Sequence, residues 1–299
     1  MELILWAGDF GLISLNLDCI RVTAYARLTK APVKIKYCRN PYCTYPVLQH
    51  ESRYVYNYTE IVKHLEKLSY VLDDKLDEKQ YGESYVLINM LTLHLNPVLE
   101  YLFWQNETNY ETLVRKWYSQ VIPIPFINLI YPSRRRKLAH EFFDTLFPHQ
   151  DREAIEITLL KGVQECITCL TTRLGESSYF HGNSYTSIDV AVYSYLALIT
   201  EIPLPNNPFA NLIRGFENLS TFIKRFNCDV FPDVQYDSKY VCRFFGSKIK
   251  TNEDDDLSTS LTMKVVIVSA ALCGMFFYAL SKNIINLTKL NSFIVIDDK

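Results

Sequence analysis

The chain has no surplus of basic charge: 31 Lys and Arg stand against 33 Asp and Glu, a formal net charge of −2. Nucleic-acid recognition leaves a strongly basic domain or stripe, so that class of partner is excluded. No GxGxxG, Walker loop, HExxH or Ser-His-Asp signature is present, and the six histidines, at 50, 64, 94, 140, 149 and 181, form no ligand-spaced cluster. No cofactor, metal site or catalytic constellation is therefore expected. The opening Met1-Glu2-Leu3-Ile4-Leu5-Trp6 has no basic region before an apolar core, which excludes a secretory signal. The eight cysteines, at 19, 38, 43, 166, 169, 228, 242 and 273, then read as reduced, mostly small core residues.

What is present is ample apolar material, 48% of 299 residues, which rules out a disordered chain. Leu3 to Trp6 reads as a buried strand, Asn16 to Leu28 as a helix, and Val33 to Tyr37 as a second strand with alternating Val33, Ile35 and Tyr37. A strand, a helix and a strand suggest a parallel pair with a crossover. Tyr45-Pro46-Val47-Leu48, a turn through His50 to Ser52, a strand Arg53 to Tyr56 and a helix from about Thr59 complete a thioredoxin-like order. In such domains the proline opening the third strand is cis, which makes Pro46 the candidate for that isomer.

After Asp73-Asp74-Lys75 the pattern turns helical: 81–104, with a kink expected at Pro97, then 110–121, 133–147, 152–174, 186–202 and 209–226. The expected organisation is a small α/β domain over residues 1–73 and an all-helical domain over 74–232. Residues 233–262, with the charge run Glu253-Asp254-Asp255-Asp256, read as a linker. Val265 to Leu280 is mostly apolar and is flanked by Lys264 and Lys282. Snorkelling lysines stretch it to roughly 18 to 20 residues, near the lower limit for crossing a bilayer. Residues 263–282 are expected to be a transmembrane tail anchor, followed by a short tail over 283–299.

The helical part is organised around Tyr179-Phe180-His181-Gly182-Asn183-Ser184-Tyr185-Thr186-Ser187-Ile188-Asp189 and the apolar run Val190 to Ile199. Thr186 with Asp189 three residues on is a capping-box start, and a helix apolar nearly all round belongs at the centre of a helical domain. This stretch resembles the motif that opens the central helix of the glutathione-transferase C-terminal domain, where it serves folding. The chemistry of that family does not transfer. The expected glutamate or glutamine and serine pair, which would hold the peptide's γ-glutamyl end, is Asn57-Tyr58, and Ser14 is the single hydroxyl in the loop after the first strand.

Two further motifs carry a plain reading beside a functional one. Cys166-Ile167-Thr168-Cys169 has CxxC spacing but lies deep in an amphipathic helix with no second pair, so it reads as helix packing and not as zinc or redox chemistry. Arg134-Arg135-Arg136-Lys137 follows Pro132-Ser133 at the expected start of a helix. It is a solvated face or a dock for an acidic partner or lipid head groups, and cations at a positive helix end would favour a use.

A transferase-like body without its glutathione pair, joined to a C-terminal membrane helix, resembles the metaxins. Tyr25-Ala26-Arg27-Leu28 before Ala31-Pro32-Val33-Lys34, Arg115-Lys116-Trp117-Tyr118 before Pro123 and Pro125, and Ser194-Tyr195-Leu196-Ala197 strengthen the likeness. The resemblance implies a non-enzymatic subunit of the mitochondrial outer-membrane sorting and assembly machinery, acting in import and β-barrel insertion. The implied partners are a second metaxin, the barrel-forming subunit and β-barrel precursors, with the body facing the cytosol. A membrane-anchored adaptor for mitochondrial transport or contacts stays open, as does a residual transferase working through Ser14 or Cys19.

Overall fold

The computed structural model describes residues 1–122 and 127–234. The expected anchor residues Lys264, Val265, Leu280 and Lys282, with most of the expected linker, lie outside the described residues.

Strands β1 (Glu2–Trp6), β2 (Lys34–Cys38), β3 (Val47–His50) and β4 (Arg53–Tyr56) form a sheet in the order β2-β1-β3-β4. β1 runs parallel to β2, with Leu3 beside Ile35, and antiparallel to β3, with Leu3 beside Leu48; β3 pairs antiparallel with β4. Helix α1 (Leu17–Leu28) supplies the crossover between the parallel strands. Its start is fixed by Asn16, whose side chain accepts from the Cys19 N–H at 3.0 Å. The Tyr45–Pro46 bond, just before β3, is cis.

Helix α2 (Tyr58–Lys67) follows β4, and α3 (Glu78–Glu100) opens on a capping box between Asp77 and Gln80. Pro97 lies inside α3 and supplies no N–H to the carbonyl of Leu93. The helix then widens into a π turn at Tyr101–Gln105, followed by the short α4 (Glu107–Asn109), a second π turn at Tyr110–Val114 and α5 (Arg115–Val121). Helices α6 (Ile127–Leu146), α7 (Arg152–Leu174), α8 (Ser187–Thr200), α9 (Pro208–Arg214) and α10 (Glu217–Val230) complete the described chain.

Two expected boundaries are corrected. The helix expected from Ser133 begins at Ile127, because a proline removes one donor without stopping the turns on either side, and Pro132 lies inside α6. The single helix expected over 209–226 is two. Gly215 closes α9, its N–H meeting the carbonyls of Asn211 and Leu212 at 3.2 Å, before α10 restarts at Glu217.

At the centre lies α8, with every residue from Ile188 to Thr200 buried. It packs against α1, α3 and α9. The stretch Glu78–Gln105 is long and apolar enough to cross a membrane, yet Leu87, Leu91, Leu95 and Val98 are buried in the same core.

Candidate functional site

In a transferase of the kind this fold resembles, chemistry would sit in the loop after β1 and at the start of α2. Here that loop closes on itself: the Leu12 N–H meets the Asp9 carbonyl at 2.9 Å and the Leu15 N–H the Ala7 carbonyl at 3.1 Å. A Cβ on Gly8 would stand 2.4 Å from the carbonyl oxygens of both Leu12 and Ile13, so only glycine lets the loop fold this tightly. Ser14 is fully buried. Its Oγ donates to the Trp6 carbonyl at 2.8 Å and accepts from the Asn16 N–H at 3.2 Å. Cys19 is buried as well, and burial pushes its thiol up to about 12. A hydroxyl engaged in loop closure and a neutral thiol are poor groups for activating a peptide thiol or attacking an electrophile.

The loop is also tied to α5. Asp9 accepts from the Phe10 N–H at 2.8 Å and from Trp117 Nε1 at 2.9 Å, and burial raises its carboxyl above the ordinary range. Trp6 continues the contact by packing against Tyr45, Trp117 and Tyr118. Beside the loop opens a cavity of about 440 Å³, lined by Gly8, Asp9, Tyr37, Arg39 and Asp233 among others. At the start of α2, Asn57 takes φ 64° and its side chain makes no capping bond. The Tyr58 ring lies under the Arg21 guanidinium, 3.9 Å away, and burial raises the Tyr58 hydroxyl. Where a carboxamide and a hydroxyl would receive the γ-glutamyl end, the chain presents an aromatic ring under a cation.

Thr186 and Asp189 form a capping box at α8. The Asp189 carboxylate, fully buried, accepts from the Thr186 N–H at 2.9 Å, the Thr186 hydroxyl at 2.6 Å and the Phe180 N–H at 3.0 Å. Burial pushes its carboxyl up to about 6, against hydrogen bonds that favour the ion. A second acid, Asp73, accepts from the Ser187 N–H at 2.8 Å and the Ser187 hydroxyl at 2.5 Å, so two carboxylates meet the positive end of α8. Asp73 and Trp117 went unforeseen because their partners lie 114 and 108 positions away, beyond any local pattern.

The basic run divides. Arg135 pairs with Glu100 at 3.0 Å and lies 5.4 Å over Trp104. Arg136 reaches Glu107 at 3.6 Å and Glu111 at 3.5 Å, and covers Tyr110. Arg134 and Lys137 are exposed. Because α6 begins at Ile127, the run does not stand at a positive helix end, and that placement lends no support to a functional use. In α7, Cys166 is buried with its thiol pushed up to about 12, whereas Cys169 is exposed. His50 Nδ1 and His64 Nε2 meet at 2.9 Å, but among the described residues no group of three or more His, Cys, Asp or Glu could hold a metal.

Comparison with known proteins adds three observations. Residues 19–136 match the Tom37 family, described as an outer mitochondrial membrane transport complex protein, and residues 163–226 match the glutathione S-transferase C-terminal domain. Metaxin-1 of Bos taurus is 34% identical over 240 residues, covering 78% of this chain and 75% of that protein. The chain belongs to the metaxin family. Metaxin-1 of Sus scrofa is 31% identical over 97% of this chain and 92% of its own length, and Metaxin-3 of Danio rerio is 28% identical over 81% and 79%. Membership of this family gives the chain a role in mitochondrial protein import. Among solved structures, a glutathione S-transferase of Ceriporiopsis subvermispora in complex with glutathione aligns with a TM-score of 0.52 at 10% identity, over 76% of this chain and 96% of that one. A second transferase from the same organism gives 0.51 at 12% identity, over 77% and 98%. They establish the fold.

Proposed function

We propose that this chain is a non-enzymatic subunit of the outer-membrane sorting and assembly machinery, acting in β-barrel precursor insertion alongside a second metaxin and the barrel-forming subunit. The observation that carries the reading is the state of the transferase counterpart: Ser14 is buried in loop closure and Tyr58 stands under Arg21, in a chain of the metaxin family. A scaffold kept and its chemistry dismantled suits a protein that works through its surfaces.

In this reading residues 1–73 and 74–232 form the body, 233–262 the linker, 263–282 the membrane anchor and 283–299 a short tail, with the body in the cytosol. The flanking Lys264 and Lys282 and the apolar Val265 to Leu280 support the anchor. Arg134 and Lys137 are the part of the basic run left for contact. Crosslinking in intact mitochondria tests the assignment, with the barrel-forming subunit and a second metaxin as the expected products. Depletion of the chain should slow assembly of a radiolabelled β-barrel precursor. Unchanged assembly, with transport proteins as the main crosslinked products, would favour the adaptor instead.

A further inference from the structure

Helix α6 buries Ala139 and Phe143 and turns another face outward. On the outward side Ile130, Arg134, Leu138, Phe142 and Leu146 follow at four-residue spacing, the row that forms a ridge on a helix surface. Its apolar members, Ile130, Leu138, Phe142 and Leu146, are 57, 46, 43 and 45% exposed. Leu138, Phe142 and Leu146 are contiguous in that row, and such a run of half-exposed large apolar side chains marks an interaction surface. It continues into a cavity of about 670 Å³ whose wall includes Phe103, Trp104, Tyr118 and Tyr131.

Charge selects the occupant. Arg134, within the ridge row, and Lys137, Glu141 and Asp144 beside it are all exposed, with the bases in the N-terminal half and the acids in the C-terminal half. An anionic lipid surface would be repelled by the two acids. A parallel helix of the same sequence would set like charges together. An antiparallel copy related by a two-fold axis near position 139 sets Lys137 against Glu141 of the other copy and Arg134 against its Asp144, because a two-fold contact brings the same flank together from both sides. The 3.9 Å pairing of Lys137 with its own Glu141 is exposed and weak, so both groups are available.

We infer that α6 is the seat of an antiparallel two-fold contact between two copies of this chain, the ridge packing on its counterpart and the flanking charges alternating in sign across the contact. This inference is independent of the import reading; it adds a self-contact to whatever hetero-oligomer the chain joins.

The test uses the full-length chain in mitochondria, carried as two differently tagged copies and solubilised in mild detergent. Wild-type copies should co-isolate. Lys137→Glu alone and Glu141→Lys alone should each lower self co-isolation by about tenfold, since each places like charges on both sides of the axis. A Lys137→Glu copy mixed with a Glu141→Lys copy should recover wild-type co-isolation, which misfolding of either variant would prevent. The inference is overturned if wild-type copies do not co-isolate, if the single variants co-isolate as well as wild type, or if the mixed pair stays apart. Unchanged precursor assembly on depletion of the chain, with self-association intact, would count against the import reading alone.

Discussion

At the start of α8 and in the loop after β1 the chain buries polar side chains by the same means, yet the two regions stand differently to the fold they belong to. Asp189 gathers the N–H of Thr186 and of Phe180, and so serves the helix end that a transferase-like body needs at its centre. Ser14 is just as fully enclosed, and its partners are the carbonyl of Trp6 and the N–H of Asn16. In a catalytic transferase the hydroxyl of this loop would point toward a ligand; here it closes the loop. The difference teaches that a buried helix end keeps its demand for acceptors whatever the protein does, whereas a loop hydroxyl can be given over to loop closure.

The comparison can be broken most sharply at Asp189. Asp189→Ala should destabilise the chain by about 3 kcal/mol, because buried donors are left without an acceptor; a loss below about 0.5 kcal/mol in denaturant unfolding would remove the cap from the architecture. The pH dependence comes next. Burial holds the folded carboxyl at about 6, above the ordinary value near 3.8, so the folded state binds this proton more tightly than the unfolded chain. The stabilisation is complete below about pH 4 and lost as pH rises through about 6. The stability of wild type relative to Asp189→Asn should therefore fall by about 2–3 kcal/mol between pH 4 and 7. A flat difference over that range would show that the hydrogen bonds, and not burial, set the group.

On the other side of the comparison, Gly8→Ala should cost about 2 kcal/mol by forcing a methyl against two carbonyl oxygens; full wild-type stability would mean that the loop opens readily. The smallest effect is expected at Ser14. Ser14→Ala should cost about 1 kcal/mol. Conjugation of glutathione to an electrophile should sit at the uncatalysed rate before and after the change, and turnover that vanishes with the hydroxyl would restore the enzymatic reading.

Much of this body is legible along the sequence because its signals are local. Alternation marks Val33, Ile35 and Tyr37 beside a strand pair, and the Thr186 and Asp189 spacing marks a helix start that the structure places at Ser187. Boundaries went astray where one residue type carries two meanings. Pro132 reads as lying just before a helix start but is absorbed inside α6, and Gly215 reads as one glycine in a long helix but ends α9. At the candidate site the sequence identifies Asn57-Tyr58 and Ser14 as the residues at the expected positions. The long-range contacts were not legible. The Asp9 to Trp117 bond, the Asp73 bonds to Ser187 and the Arg21 cover on Tyr58 join distant segments, and their pairing is decided by tertiary packing alone.

Arg27, on the last turn of α1, donates to the Val230 carbonyl at 2.9 Å and to Asp233 through both terminal nitrogens, Nη2 reaching Oδ2 at 2.9 Å. This clasp is a mechanical rivet. It holds the end of α10 to α1 through a side chain that lies 203 positions earlier in the sequence. Helices drawn from opposite ends of the described chain are thus fastened to one another by a single guanidinium.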